Sequence, residues 1–161
     1  MSLLDRSLGS YPRGRVGYPA PVPRILIASD APWVHDEVAS VLAGADTEIK
    51  HVNAGVEVLP AVQARTPDLV VLDSQIGPMG GVATCIDLRL EEGAGRVAHV
   101  PVLLLLDRRP DVFLARRADA EGWLVKPLDP IRMRKAAYEL LVGRTYHDEA
   151  FKPEPVQVAG E

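Results

Sequence analysis

The stretch PDLVVLDSQIGPMGG, from Pro67 to Gly81, decides the fold of this chain. A turn signal at Pro67 precedes the apolar run Leu69 to Leu72, and such a bounded run is typical of a buried strand. The run ends at one carboxylate, Asp73, and a loop rich in Gly and Pro follows. Open α/β sheets carry their functional groups beyond the carboxyl ends of the strands. Asp73 is therefore the first candidate for a functional residue.

Four further short strands, alternating with five helices, are predicted around this stretch. The apolar runs Ile25–Ala28, Leu69–Leu72 and Val102–Leu106 lack polar alternation, which indicates strands buried on both faces of a parallel sheet. Right-handed crossovers between parallel strands leave few topologies. We therefore expect an α/β, flavodoxin-like (βα)5 fold with a parallel five-stranded sheet in the order 2-1-3-4-5. This order would bring Asp30 and Asp73 to one edge of the sheet.

Composition divides the chain into a central domain and two irregular tails. Residues 1–23 alternate Pro and Gly with few large apolar groups, which predicts an extended tail. Residues 24–142 carry the strand and helix patterns, and residues 143–161 form a C-terminal tail. Residues 1–24 hold four Arg and one Asp, a charge of +3, so the net charge of −4 leaves −7 on the remainder. A basic arm on an acidic body suggests that the arm has a partner of its own.

Composition also argues against several classes of function. With 47% apolar and 25% charged residues, the chain is ordinary for a globular protein. It lacks a transmembrane run and a signal-peptide core, so we expect a cytoplasmic protein without membrane insertion. A single cysteine excludes an intrachain disulfide, and the acidic net charge argues against nucleic-acid binding. No metal-ligand spacing links the histidines, which are expected at the surface: His35, His51, His99 and His147.

Four motifs resemble the receiver domains of two-component response regulators. They are ILIASDAP around the first strand, PDLVVLDSQIGPMGG around the third, VPVLLLLD at the fourth and WLVKPLDP at the fifth. Together they cover the chain from about Arg24 to Val142. The resemblance implies a chemistry in which an aspartate accepts a phosphoryl group from a phosphohistidine or a small phosphodonor. It also implies a cis peptide bond between Lys126 and Pro127.

The resemblance implies a role for each matching residue. Asp73 is the phosphoacceptor, and Lys126 contacts the phosphoryl group. Asp30, Asp73 and the backbone carbonyl of Gln75 are the ligands of Mg²⁺, which reduces the repulsion between a carboxylate and a phosphoryl group. No other cofactor is implied, and the chain is not expected to be an enzyme. A structural alternative for Asp73 is a salt bridge in which Lys126 lies between Asp73 and Asp30 without a metal.

Three positions depart from the family pattern. Ser29 replaces the first carboxylate of the acidic pair, which removes one charge from the Mg²⁺ site and weakens it. Leu106 replaces the switch Ser or Thr and cannot hydrogen-bond a phosphoryl oxygen. Trp123 is at the aromatic switch position, where its bulk favours a single rotamer. The interval from Leu106 to Lys126 is shorter than is usual in the family, so we expect a clipped fourth helix.

Two classes of function follow from these residues. The first is a constitutive accessory subunit of a larger assembly, which uses the receiver fold as a scaffold and is gripped by residues 1–23 and 143–161. The second is a phosphorylation-driven switch with Asp73 as phosphoacceptor and a sensor kinase as partner. Ser29, Leu106 and the tails favour the first.

The resemblance also implies partners. After the fifth helix too few residues remain for a DNA-binding output domain, so we expect a protein partner and no nucleic acid. The whole chain resembles the orphan receiver-like proteins of high-GC bacteria, one of which is associated with the respiratory type I NADH dehydrogenase. That resemblance implies a position peripheral to a membrane complex.

Overall fold

The sheet is parallel throughout the part of the chain that the structure describes. A computed structural model describes residues 22–44 and 46–148. Its strands are Arg24–Ala28 (β1), Glu48–Val52 (β2), Leu69–Asp73 (β3), Val102–Leu106 (β4), Gly122–Val125 (β5) and Tyr146–His147 (β6). They are ordered β2-β1-β3-β4-β5-β6. The five predicted strands and their order are confirmed.

Helices fill the intervals between the strands, as expected for parallel crossovers. They are Pro32–Leu42 (α1), Val58–Ala64 (α2), Gly81–Gly93 (α3), Val112–Arg117 (α4) and Pro130–Leu141 (α5). One 3₁₀ turn, Gly55–Glu57, precedes α2, and a second, Arg109–Asp111, precedes α4. The six residues of α4 confirm the clipped fourth helix. Within the described residues, every helix is too short or too polar to span a bilayer.

Two apolar cores cover the two faces of the sheet. On one face, alternate strand residues such as Leu72 and Leu104 pack with the buried side chains of α2, α3 and α4. On the other face, residues such as Val71 and Leu105 pack with α1 and α5. Every residue of β3 and β4 is buried, which explains their uninterrupted apolar sequences.

The sheet has one short strand that the sequence pattern does not predict. β6 comes from the beginning of the predicted C-terminal tail and pairs in parallel with Gly122 and Trp123 of β5. It is anchored by Asp148, whose Oδ2 accepts a hydrogen bond from the backbone N–H of Val125 at 3.1 Å. A two-residue strand is too short to show alternation, so periodicity cannot reveal it. Residues 1–21 and 149–161, which make up most of the predicted tails, lie outside the described residues.

Candidate functional site

The predicted site residues meet at the carboxyl-terminal edge of the sheet. β1 and β3 run side by side to their ends, so Ser29 and Asp30 emerge next to Asp73. On the other side, β5 follows β4 in register, and the backbone N–H of Lys126 donates to the carbonyl of Leu106 at 2.8 Å. Parallel order therefore brings residues from three separate motifs to one place.

Asp73 is buried, with 2% of its surface exposed, and donors contact both of its carboxylate oxygens. Oδ1 accepts hydrogen bonds from Lys126 Nζ at 2.8 Å and from the backbone N–H of Gln75 at 3.1 Å. Oδ2 accepts one from the hydroxyl of Ser29 at 2.7 Å, and that hydroxyl in turn accepts from the backbone N–H of Ala31. A buried carboxylate requires such partners to remain charged.

Lys126 bridges two carboxylates. Its Nζ lies 2.8 Å from Asp73 Oδ1 and 2.6 Å from Asp107 Oδ1. Burial alone would lower the pKa of Lys126, but the hydrogen bonds and charges of Asp107 and Asp73 outweigh it and raise the pKa above its ordinary value. The ammonium also lies 5.6 Å from the centre of the Trp33 ring. Lys126 is therefore held as a cation at this edge.

The second acid of this bridge is not the one that the sequence analysis named. The predicted salt bridge placed Lys126 between Asp73 and Asp30. The structure confirms Asp73 but replaces Asp30 with Asp107, because Asp107 and Lys126 directly follow the paired strand ends Leu106 and Val125. Asp30 is exposed, and its Oδ2 accepts instead from the backbone N–H of Gly77 at 3.3 Å. An acid directly after β4, visible in VPVLLLLD, was the available signal for Asp107.

Comparison with known proteins identifies the fold family. Residues 25–138 match the family model described as the response regulator receiver domain. The chain belongs to the response regulator receiver family. The receiver fold is also that of chemotaxis protein CheY4 of Vibrio cholerae, with a TM-score of 0.65, 22% identity, and coverage of 74% of this chain and 98% of that one.

Two curated relatives are longer response regulators. The DNA-binding response regulator MtrA of Mycolicibacterium smegmatis is 31% identical over 66% of this chain. The nitrate/nitrite response regulator protein NarL of Escherichia coli is 27% identical over 80% of it. The chain spans about half the length of these relatives, 45% and 59% respectively. The likeness therefore concerns their receiver portion.

Receiver domains commonly bind Mg²⁺ at this edge, and the donor set here does not fit that pattern. The candidate ligands are the carboxylates of Asp30 and Asp73 and the carbonyl of Gln75. Asp73 Oδ2 is already hydrogen-bonded to Ser29, and Oδ1 is paired with Lys126. No cluster of three acidic, His or Cys side chains suited to a metal occurs in residues 22–44 and 46–148. Strong Mg²⁺ sites use several charged oxygen ligands, and here the neutral hydroxyl of Ser29 stands beside Asp73 where the family pattern has a further carboxylate.

The two predicted switch positions are held in the core of this receiver domain. Leu106 is fully buried on the α2–α4 face. Trp123 is 1% exposed, and the ring of His147 stacks on it at 4.0 Å with an interplanar angle of 5°. The Arg116 guanidinium lies 5.5 Å from the same indole. β6 therefore covers the aromatic position, and the assignment of both residues as lost switch elements stays a prediction.

One histidine contradicts the expectation of surface positions. His35 is buried, and its Nε2 lies 2.5 Å from the carbonyl oxygen of Ser29. The geometry suits an Nε2–H that donates to this carbonyl, which leaves Nδ1 to accept from His51 Nδ1–H at 2.7 Å. Burial and then the neighbouring His35 lower the pKa of His51, while Asp36 raises it. His35 was missed because it lies in the first turn of α1, directly against the end of β1.

The peptide bond between Lys126 and Pro127 is cis, as the resemblance predicts, and that between Gly77 and Pro78 is also cis. Both bonds lie in loops that border the acidic edge. Lys126 is thus presented by a loop of the geometry expected for the family.

Proposed function

We propose that this receiver domain is a constitutive protein-interaction module, an accessory subunit of a larger assembly whose state does not depend on phosphorylation of Asp73. The observation that carries the proposal is the set of internal donors on Asp73. Lys126, Gln75 and Ser29 contact its two oxygens, so both oxygens are hydrogen-bonded to protein donors in the unmodified state.

The switch positions support the same function. Receiver signalling needs an element with two arrangements that the phosphoryl group can bias. Leu106 offers no hydrogen bond to such a group, and Trp123 is buried in contact with Arg116 and His147. A closely packed side chain has little freedom to change rotamer. A constitutive state is the simpler consequence.

The second candidate is a two-component switch in which a sensor kinase phosphorylates Asp73. The convergence of Asp73, Asp30 and Lys126 at one edge favours it, because these three residues match the family pattern. In that case Asp73 would have to exchange its contact with Ser29 for Mg²⁺, a step that the uncharged hydroxyl does not assist. The weakening of Mg²⁺ binding by Ser29 stays a prediction.

Phosphorylation chemistry separates the two candidates. We expect the full chain to keep its unmodified mass when it is incubated with acetyl phosphate and Mg²⁺, because Asp73 is engaged on both oxygens. Intact-mass spectrometry checks this result, with a receiver domain that the same reagent labels as positive control. Stoichiometric phosphorylation that maps to Asp73 and disappears in Asp73→Asn would overturn the constitutive module in favour of the switch.

The partner is proposed to be a protein complex gripped by residues 1–23 and 143–161. The basic charge of the first segment supports this proposal. The respiratory type I NADH dehydrogenase as partner and a cytoplasmic position beside a membrane stay predictions. Co-purification with a chain lacking residues 1–23 tests the first grip: loss of the partner is expected, and unchanged recovery would contradict it.

A further inference from the structure

Lys126 forms a second ion pair that the proposed function does not explain. We propose that Asp107 is an internal competitor for Lys126, which keeps Asp73 from accepting a phosphoryl group. This inference rests on the proposed function and adds to the donors on Asp73 a further residue that keeps it unphosphorylated. The Asp107 carboxylate thus occupies the position beside the Lys126 ammonium that an anionic phosphoryl oxygen would otherwise take.

The fold positions Asp107 for this role. Leu106 and Val125 are register partners at the ends of β4 and β5, and the next residue of each strand is Asp107 or Lys126. The backbone bond from Lys126 N–H to the Leu106 carbonyl fixes the two segments side by side. The Asp107 side chain is 34% exposed, whereas that of Lys126 is 14% exposed. Asp107 is therefore the more exposed partner of this ion pair, and it occupies one N–H donor of an ammonium that is itself largely shielded.

The charges at this edge oppose a phosphoryl group on Asp73. In the part of the chain that the structure describes, Lys126 pairs with both Asp73 and Asp107, Asp30 follows the neighbouring strand end, and Arg108 on the adjoining loop is paired with Asp111. A phosphoryl group adds about −1.5 to −2 charge at neutral pH. It would therefore arrive beside an already paired ammonium and an additional carboxylate. Removing the Asp107 charge removes one repulsive group and weakens the hold on one of the three N–H donors of Lys126, and removing the whole side chain frees that donor.

Two substitutions of Asp107 test the proposal. Asp107→Asn keeps the shape of the side chain, and Asp107→Ala removes it. The matched control is Asp119→Asn, which removes one negative charge beyond α4 at a residue with φ of 55°, a conformation that Asn tolerates. Folding of each variant is checked by thermal melting followed by circular dichroism.

The first readout is labelling of Asp73 by acetyl phosphate with Mg²⁺. In this reaction an Asp73 oxygen forms a bond to phosphorus, the bond from phosphorus to the acetate oxygen breaks, and acetate leaves with the electron pair. We expect the wild type and Asp119→Asn to stay unlabelled, and both Asp107 variants to reach a labelled fraction at least tenfold above the detection limit set by the wild type. The second readout needs no metal: inorganic phosphate should produce saturable shifts of the Lys126 side-chain NMR signals only in the Asp107 variants.

Each outcome decides a separate point. If folded Asp107 variants gain neither labelling nor phosphate shifts while the wild type stays unlabelled, the competitor role is wrong and the proposed function stands. If the wild type is labelled slowly and the variants tenfold faster, the competitor role stands and the constitutive module fails. If all proteins are labelled equally, both fail. Loss of the folded state in both variants would also overturn the proposal, because a residue required for folding is not a removable competitor.

Discussion

We expect the substitution Lys126→Met to lower the free energy of unfolding by about 3 kcal/mol at neutral pH, which is the low end of the range for breaking a buried ion pair. The substitution leaves Asp73, which is 2% exposed, without its cation and removes the partner of Asp107. Met keeps most of the apolar stem of Lys, so the loss reports the charge. Denaturant unfolding measures the effect.

Lys135→Met is the matched control, because Lys135 is exposed on α5 and makes no ion pair with a described residue. Its expected effect is below about 0.5 kcal/mol. If the free energy of unfolding of Lys126→Met lies within that margin of the wild-type value, the stabilising ion pairs of Lys126 with Asp73 and Asp107 are contradicted.

The same bridge predicts a pH dependence for the wild type. Because the folded-state pKa of Lys126 is raised above 10.5, its contribution to stability is fully present below pH 10.5 and is lost as the pH rises through the higher folded value. The difference in stability between the wild type and Lys126→Met should therefore shrink at strongly alkaline pH. If this stability difference stays constant with pH, it arises from side-chain packing and not from the charge of Lys126.

We expect the substitution Gly81→Ala to lower the free energy of unfolding by about 3 kcal/mol, which is the upper end of the usual cost of overpacking. Gly81 begins α3 against the end of β3, and its backbone N–H donates to the Ser74 carbonyl at 3.1 Å. A Cβ at this position would collide with the carbonyl oxygen of Asp73 and lie 2.8 Å from Ser74 Cα. These are backbone atoms that side-chain rotation cannot relieve, so the helix or the acidic edge must shift.

Gly93→Ala is the control within the same helix. Nothing lies within 4 Å of a Cβ built on Gly93, which is the last residue of α3. In helix interiors Ala is favoured over Gly by about 1 kcal/mol. Because Gly93 is at the end of the helix, this variant should be neutral or slightly more stable than the wild type. Thermal and denaturant unfolding compare the two variants, and equal stabilities would show that α3 does not approach β3 as closely as described.

The sequence predicts the fold well because strands buried on both faces appear as continuous apolar runs. Leu69–Leu72 and Val102–Leu106 indicate a parallel sheet, and the expected strand order then brings Asp30 and Asp73 to one edge. The motif resemblance adds the roles of these two residues. The sheet edge is thus predictable from residue order, whereas the place of Lys126 beside Asp73 follows from the resemblance.

Other features depend on side-chain geometry that residue order does not specify. Several acids are at the same edge, and only the register of β4 with β5 shows that Asp107 reaches Lys126 where Asp30 does not. As a polar residue, His35 is expected at the surface from the sequence. It is buried instead, because its ring nitrogen is hydrogen-bonded to the Ser29 carbonyl inside the domain. β6 is too short for any periodicity, and it is held by its pairing with β5 and by Asp148.

The central claim is that the receiver domain keeps Asp73 in an internally satisfied state. Its most direct test is the ¹H–¹⁵N NMR spectrum of the full chain, titrated with beryllofluoride, a mimic of the phosphoryl group, in the presence of Mg²⁺. We predict that the chemical shifts of the backbone amides of Gln75 and Asp107 and of the indole N–H of Trp123 do not change during the titration. Saturable shifts of these three signals, absent in Asp73→Asn, would contradict the claim and identify Asp73 as a working phosphoacceptor.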